Sequence, residues 1–340
     1  MANQQQYPNF SLHSPILVDN FNRRIDYLRL AVTDRCNLRC VYCMPPEGIP
    51  FMPRNQVLTY EEMERLVRIV AAMGIRKVRL TGGEPFVRKN LIDFIARLVH
   101  IPGVERVHIT TNGVLTAPLI PRLKALGIAG VNLSLDTMNR ERFIKIARRD
   151  ALTAVWDTFY ALLDAGIPLK VNMVVFDGLN TDEIIPMSQL AAQYPIELRY
   201  IEQMPFDGGV GRRAVVYNYA RILDTLKQAY PQLTPVDLPD STARVFRVPG
   251  FKGRLGIIGG FSRVFCATCS RMRITASGQL KTCLYDNGVL DLRELLRSGA
   301  SDKTIASAIR LKILDRAADG FEAERRARRT DGTSMAEIGG

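Results

Sequence analysis

Hydrophobic residues follow two alternating patterns along this chain. Short apolar, β-branched runs predict six strands, at 27–33, 77–82, 105–111, 130–136, 169–176 and 197–204. Longer segments with helical periodicity lie between them. The clearest helix begins at Thr59 and Glu62, which form a capping box, and Gly74 can end it.

The alternation predicts an α/β fold in which parallel strands are joined by right-handed crossovers. Periodicity does not decide between an open sheet and a curved partial barrel. In both, the functional face lies at the carboxyl ends of the strands. Four polar or glycine-rich segments follow successive strands and are expected at one mouth: RCNLRCVYC (35–43), GGEP (82–85), TNG (111–113) and DT (136–137).

The pattern changes after about residue 235. A proline-rich link, YPQLTPVDLPD, precedes shorter strand patterns, RVFRVPG, RLGIIGG and RMRITASGQLKTCLY, with a hairpin turn predicted at 277–278. Helical segments follow around 291–298 and 303–318. We therefore predict a flexible N-terminal arm (1–22), an α/β core (23–235) and a smaller C-terminal α+β domain (236–340).

Composition and charge narrow the class of protein. Hydrophobic residues make up 47% and charged residues 24%, and no apolar run approaches the length of a membrane span. The N-terminal arm does not resemble a signal peptide, so we expect a cytoplasmic protein. The net charge of +12 indicates either general solubility or an anionic partner, and charge alone does not separate nucleic acid from a polyphosphate nucleotide.

The six cysteines form two groups of three: Cys36, Cys40, Cys43 and Cys266, Cys269, Cys283. Three disulfides are disfavoured in a long chain without an export signal. Structural zinc normally takes four protein ligands, and the three histidines, His13, His100 and His108, are explained as arm, surface or packing residues. Each group suits a [4Fe–4S] cluster with one open iron. Zinc and a closed electron relay remain as alternatives.

CNLRCVYC, with its CxxxCxxC spacing, resembles the radical S-adenosylmethionine (SAM) superfamily, and the GGEP segment supports the likeness. The resemblance implies an incomplete (βα)6 TIM-type barrel. It also implies a first cluster whose open iron chelates SAM and whose electron releases a 5′-deoxyadenosyl radical. The residues expected to bind SAM are Tyr42, Gly83, Ser134 and Met204.

The second group reads CxxC, thirteen residues and a last cysteine. Together with LRLAVTDRCN and the closing IGG, it resembles the GTP 3′,8-cyclase family, from about Asp26 to Gly340. That family of lyases begins molybdenum-cofactor biosynthesis by converting GTP to (8S)-3′,8-cyclo-7,8-dihydroguanosine 5′-triphosphate. The resemblance implies that the C-terminal domain covers the open side of the barrel and that the second cluster, which this domain carries, binds the guanine.

Charged residues on buried strands need a partner anion, and bidentate arginine suits a triphosphate. From this argument and the resemblance, the expected GTP contacts are Arg29, Lys77, Arg79, Thr110, Lys170, Arg199, Arg271, Met272 and Arg273. Arg271 and Arg273 are also expected in catalysis. So are Gly339 and Gly340, because the family's final glycines enter the active site; MAEIGG departs mildly from the usual MSQIGG.

Rival interpretations are a radical SAM enzyme that modifies a peptide or RNA, a two-cluster electron-transfer protein and a zinc-binding nucleic-acid module. For the main interpretation we expect GTP as substrate, a flavodoxin- or ferredoxin-like reductant and product transfer to cyclic pyranopterin monophosphate synthase. We expect no nucleic-acid partner and a monomer or homodimer.

Overall fold

The computed structural model describes residues 16–204, 217–238, 241–327 and 334–339. Its strands, in chain order, are β1 (Leu17–Val18), β2 (Arg24–Ile25), β3 (Tyr27–Ala31), β4 (Lys77–Thr81), β5 (Arg106–Thr111), β6 (Gly130–Ser134), β7 (Leu169–Val175), β8 (Glu197–Glu202), β9 (Thr234–Val236), β10 (Arg244–Arg247), β11 (Arg254–Ile258), β12 (Arg271–Ile274), β13 (Gln279–Lys281) and β14 (Leu290–Asp291).

The helices are α1 (Tyr60–Ala72), α2 (Leu91–Leu98), α3 (Ile120–Ala125), α4 (Arg140–Ala147), α5 (Leu152–Asp164), α6 (Ile184–Gln193), α7 (Tyr219–Ala229), α8 (Leu292–Arg297), α9 (Asp302–Leu314), α10 (Gly320–Ala327) and α11 (Met335–Ile338). The predicted capping box of α1 is confirmed. Thr59 Oγ1 accepts a hydrogen bond from the Glu62 amide at 3.1 Å, and the Glu62 carboxylate accepts one from the Thr59 amide at 2.7 Å.

Twelve strands form one sheet, in the order β14-β13-β12-β3-β4-β5-β6-β7-β8-β11-β10-β9. The six predicted parallel strands, β3 to β8, are its centre, as expected for an incomplete (βα)6 barrel. In the part of the chain that is described, no ladder joins β14 to β9, so the barrel stays open. Each central strand is shorter than the prediction at one or both ends.

The C-terminal strands extend this sheet at both edges. β12 pairs in parallel with β3, and β11 pairs in parallel with β8. The predicted hairpin is present, because β12 and β13 are antiparallel and Gly278 in their turn has a φ of +87°. α8 and α9 correspond to the two predicted helical segments, whereas α10 and α11 were not predicted.

The N-terminal prediction needs a correction. Residues 1–15 lie outside the described residues, but Leu17–Val18, in the segment assigned to the arm, pairs with Arg24–Ile25, at the start of the predicted core, in an antiparallel hairpin. Leu17, Asp19 and Ile25 are fully buried. The hairpin is therefore packed into the fold, and its first strand lies before the predicted boundary at residue 23.

Side-chain alternation divides the central strands between two environments. On β3, Leu28 and Leu30 are fully buried in the hydrophobic core, whereas Tyr27 and Arg29 face the interior of the barrel. Every helix in the described part of the chain is too short or too polar to span a lipid bilayer.

Candidate active site

All six cysteines and most of the predicted binding residues line one cavity of about 600 Å³. The first cysteine group follows the carboxyl end of β3. The second CxxC immediately precedes the amino end of β12, which pairs with β3 in parallel, Tyr27 opposite Arg271. The two groups therefore lie toward opposite ends of the same strand pair. A five-residue strand such as β3 is about 16 Å long.

The GGEP segment packs directly on the first cysteine loop. The amides of Gly83 and Glu84 donate to the carbonyl oxygens of Thr33 and Arg35, both at 2.8 Å. A Cβ atom on Gly83 would lie 2.3 Å from the Arg35 carbonyl oxygen, so only glycine permits this approach. The segment thus fixes the loop while its other side lines the cavity.

Glu84 was not predicted, and it connects GGEP to the end of β5. Its carboxyl group accepts hydrogen bonds from the Thr111 hydroxyl at 2.8 Å and the Asn112 amide at 2.7 Å. Burial raises the pKa of Glu84 to about 7. Asn112 Nδ2 in turn lies 3.7 Å from the sulfur of Cys36. Three of the predicted strand ends are therefore joined by hydrogen bonds.

The thiol environments fit metal–sulfur clusters. Burial raises the pKa of Cys36 to about 11 and that of Cys40 well above its usual value. Such thiols ionise when a metal takes up their charge. No three Cys, His, Asp or Glu side chains among the described residues converge on a single ion. Thiolates are the ligands that hold iron–sulfur clusters, and all three cysteines of the first group line the cavity.

The second group lies among cations. Burial raises the pKa of Cys269, but Arg271 and Arg316 outweigh it and lower the value to about 7. Beside Cys283, the carboxylate of Asp286 accepts from the Thr282 and Cys283 amides, both at 2.8 Å. In neither group does another described His, Cys, Asp or Glu complete a four-ligand set.

The predicted SAM residues lie in the same cavity as the first group. Tyr42, Gly83, Ser134 and Met204 all line the cavity. The Tyr42 hydroxyl donates to Asp136 Oδ2 at 2.9 Å, and its ring stacks on Phe176. Burial raises the pKa of Asp136 to about 6.

The predicted GTP cations line the same cavity: Arg29, Lys77, Arg79, Lys170, Arg199, Arg271 and Arg273, with Thr110 beside them. Arg29 Nε and Arg273 Nη1 are buried and have no hydrogen-bond partner among the described residues. Burial and the charge of Arg273 lower the pKa of Arg29 to about 9, and burial and Arg271 lower that of Arg273 to about 10. This cluster of cations is suited to a polyanion.

Tyr27 and Glu197 each contact two of these cations, and neither was predicted as a site residue. Tyr27 accepts a hydrogen bond from Arg79 Nε at 2.6 Å, and Lys77 lies over its ring. Burial raises the pKa of Tyr27, but Arg79 and the cations around it lower the value to about 6. Glu197 binds Lys170 Nζ at 3.1 Å and Arg199 Nε at 2.5 Å.

Other interior positions follow from strand alternation. His108, interpreted from the sequence as a surface or packing residue, lines the cavity, and its buried Nε2 has no partner among the described residues. Asn132 and Asn172 also face the cavity. The signal that could have found them is their two-residue spacing from Thr110, Ser134 and Lys170.

The prediction for Met272 needs a correction. Its side chain is fully buried in the hydrophobic core, on the opposite face of β12 from Arg271 and Arg273, and it does not line the cavity. Strand alternation makes this unavoidable. A contact with substrate through the Met272 side chain is therefore excluded by this geometry, and only its backbone remains available.

The C-terminal tail reaches the first cysteine loop and the end of β4. Ser334 Oγ donates to the Cys43 carbonyl oxygen at 2.6 Å, and Thr81 Oγ1 donates to the Gly339 carbonyl oxygen at 3.1 Å. Gly339 has a φ of +87°, and a Cβ atom there would lie 2.6 Å from the Cβ of Ala31. Gly340 lies outside the described residues.

Two family models match the chain. The Radical SAM superfamily matches residues 30–191, and Molybdenum Cofactor Synthesis C matches residues 196–321. Among solved structures, SAM-bound SuiB of Streptococcus suis has a TM-score of 0.60 at 15% identity, covering 85% of this chain and 69% of SuiB. At that identity the likeness concerns the fold alone.

Curated relatives are more similar in sequence. Molybdenum cofactor biosynthesis protein 1 of Homo sapiens is 42% identical over 298 residues, which cover 87% of this chain and 47% of that protein. This chain therefore spans about half the length of such relatives. GTP 3′,8-cyclase of Pelotomaculum thermopropionicum is 41% identical, covering 86% of this chain and 91% of the relative; that of Heliobacterium modesticaldum is 44% identical, with 85% and 90% covered.

Proposed function

Since this chain belongs to the GTP 3′,8-cyclase family, within the radical SAM superfamily, we propose that it cyclises GTP to (8S)-3′,8-cyclo-7,8-dihydroguanosine 5′-triphosphate. The observation that carries the proposal is the single cavity lined by both cysteine groups and by the strand-borne cations. An electron-transfer protein whose two clusters are each bound by four protein ligands would have no need of buried cations between the clusters.

Each cysteine group would hold one [4Fe–4S] cluster: Cys36, Cys40 and Cys43 the first, and Cys266, Cys269 and Cys283 the second. When bound, the first cluster and SAM would supply a 5′-deoxyadenosyl radical to remove the 3′ hydrogen of the GTP ribose. C3′ would then bond to C8 of guanine, and one electron from the expected flavodoxin- or ferredoxin-like reductant and one proton would complete the 7,8-dihydro product. Tyr42, Gly83, Ser134 and Met204 would hold SAM near the carboxyl end of β3.

The interior cations would bind and orient the triphosphate. Arg29 and Arg273 each have a buried N–H that finds no partner among the described residues, so each can donate to a phosphate oxygen without breaking an existing bond. Lys170 and Arg199 would instead exchange Glu197 for the phosphates. Arg271 would contact GTP from the same face of β12 as Arg273.

Gly339 and Gly340 would enter the site as a backbone-only wall. The contact of Gly339 with Thr81 and Ala31 supports this role, because it brings the tail to the end of β4 that the GGEP segment also occupies. Backbone without side chains can exclude water while leaving room for the nucleotide.

The test is anaerobic reconstitution to about eight irons per chain, two clusters' worth, followed by addition of dithionite, SAM and GTP. We expect 5′-deoxyadenosine and the cyclised nucleotide in equal amounts, both dependent on GTP. Formation of 5′-deoxyadenosine without any need for GTP would contradict the proposal. Dependence on an RNA or a peptide in place of GTP would favour the rival enzyme.

We also propose the partners and boundaries expected from the sequence. These are a flavodoxin- or ferredoxin-like reductant, product transfer to cyclic pyranopterin monophosphate synthase, a cytoplasmic location and division of the chain near residue 235. The pairing of β11 and β12 with the barrel strands indicates that the two parts form one sheet rather than separate modules.

A further inference from the structure

Three buried charged residues surround the second CxxC loop. Asp19 and Arg23 come from the N-terminal hairpin, and Arg316 follows α9; they are 0%, 7% and 4% exposed. Asp19 Oδ2 binds Arg23 Nε at 2.6 Å and lies 3.7 Å from Arg316 Nη1. One carboxylate therefore serves two guanidinium groups that come from opposite ends of the chain.

Both guanidinium groups are directed at the cysteines themselves. Arg23 Nη1 donates to the carbonyl oxygen of Cys266 at 3.1 Å. Arg316 Nη1 donates to the carbonyl oxygen of Cys269 at 2.9 Å, and its Nη2 donates to the sulfur of Cys269 at 3.0 Å. Arg23 also binds the carbonyl oxygens of Ala317 and Ala318, which ties the hairpin to the segment that carries Arg316.

Arg316 differs from the cations assigned to the triphosphate. Its nitrogens already bind the backbone and sulfur of Cys269, whereas Arg29 and Arg273 retain buried N–H groups without partners among the described residues. It also differs from the donors at the first group, where Cys36 accepts from the neutral Leu38 amide and Asn112 side chain. A charged donor to a ligating sulfur stabilises the reduced, more negative cluster.

We propose that Asp19, Arg23 and Arg316 are positioning residues for the second cluster. Arg23 and Arg316 hold the CxxC loop through the two cysteine carbonyls, and Arg316 raises the reduction potential of the cluster through its bond to Cys269. This inference rests on the proposed function, because it requires a cluster at the second group. It also gives the N-terminal hairpin a role that the sequence did not reveal.

The test isolates the second cluster. In a chain with Cys36, Cys40 and Cys43 changed to alanine, only the second group can load iron, and its potential is measured by an EPR-monitored redox titration without GTP. In that background, Arg316→Gln should lower the ratio of reduced to oxidised cluster about tenfold at a fixed potential, equivalent to about 59 mV for one electron.

Two variants separate the roles. Arg23→Gln removes the bonds to the carbonyl oxygens of Cys266, Ala317 and Ala318 but none to a sulfur, so we expect faster iron loss to a chelator with an unchanged potential. Arg122→Gln is the control, because it removes a guanidinium from α3 that is 62% exposed and pairs with Asp93 at the surface. It should leave both iron retention and potential unchanged.

A loaded Arg316→Gln protein with the parental potential would overturn the inference, as would an equal shift in the control. If that variant does not load, Arg316→Lys decides, since it keeps the charge but loses one of the bonds to Cys269; a parental potential again overturns it. Folded but iron-free Arg316 variants support anchoring of the loop. If every Arg316 variant is unfolded, the role is structural and the inference fails.

The outcome also separates this inference from the proposed function. If the protein with Arg316 unchanged loads no iron at the second group, both the inference and the proposed function are overturned. A parent chain that loads iron and cyclises GTP, but whose potential does not respond to Arg316, overturns only the inference drawn here.

Discussion

Glu197 is an acidic residue that pairs with two cations of the cavity, Lys170 and Arg199, which makes Glu197→Gln an informative perturbation. Its carboxylate is 8% exposed and binds both Lys170 and Arg199. Both cations are proposed to bind the triphosphate. The carboxylate therefore stabilises the protein without GTP but competes with GTP for the same two partners.

The two effects of Glu197→Gln have opposite signs. Without GTP, the variant leaves Lys170 and Arg199 with no counter-ion, and removing one partner of a buried ion pair costs about 3 kcal/mol. The melting temperature should then fall by about 4 °C, since the unfolding entropy is about 2.1 cal/mol/K per residue. With GTP bound, the variant removes a repulsion of about 2 kcal/mol, the value for unit charges about 7 Å apart at an effective dielectric constant of about 20.

We therefore expect Glu197→Gln to bind GTP at least tenfold more tightly while melting earlier without it. Anaerobic equilibrium dialysis of the reconstituted protein measures the first quantity, and differential scanning fluorimetry measures the second. Asp302→Asn is the control, because it removes an acid that is 64% exposed and pairs with Arg65 at the surface. Weaker GTP binding would refute the reasoning and show that Glu197 orients the two cations for the phosphates.

Three further predictions concern the tail, the SAM side of the cavity and the first helix. Gly339→Ala should reduce cyclisation at least tenfold with full iron content, because its methyl group would collide with Ala31. The control is Gly299→Ala, which has a similar left-handed φ but whose added Cβ atom would have no neighbouring atom within 4 Å. Equal losses of activity in the two variants would contradict the argument. Asp136→Asn should flatten the pH dependence of the free energy of unfolding. Because the pKa of Asp136 is raised in the folded protein, its contribution to stability falls by about 2 kcal/mol from about pH 4 to pH 7. Urea titrations in which the parent and the variant change in parallel with pH would exclude this. Thr59→Ala should cost about 1 kcal/mol in the same assay, and no measurable loss would argue against the capping box.

Local pattern predicted much of the site because strand alternation and position at a strand end are local properties. Arg29, Arg79 and Arg273 face the cavity for the same reason that Met272 does not, namely the two-residue period of a strand. The Met272 prediction followed a continuous motif, and it is incorrect for the side chain because a motif ignores that period. Tyr27 could have been found by the same alternation.

Long-range features were not accessible in this way. The N-terminal hairpin has strands of two residues each, too short for a periodic signal. Asp19 has a local partner in Arg23, but its second partner, Arg316, is brought beside it from almost three hundred residues away. α10 is short and half of its eight residues are charged, so its sequence resembled solvated surface. Pairing partners at the sheet edges, such as β12 with β3, likewise depend on contacts that no local window contains.

That edge pairing explains how two incomplete cysteine groups can serve one substrate. The rule that functional residues follow the carboxyl ends of parallel strands places the first group correctly but not the second, because Cys269 precedes β12 rather than following it. Parallel pairing of β12 with β3 then sets the second group near the amino ends of the strands. The interior cations of β3 and β12, including Arg29 and Arg273, lie between the two groups. A nucleotide held by these cations can present its ribose toward one group and its base toward the other, which a single catalytic mouth could not achieve.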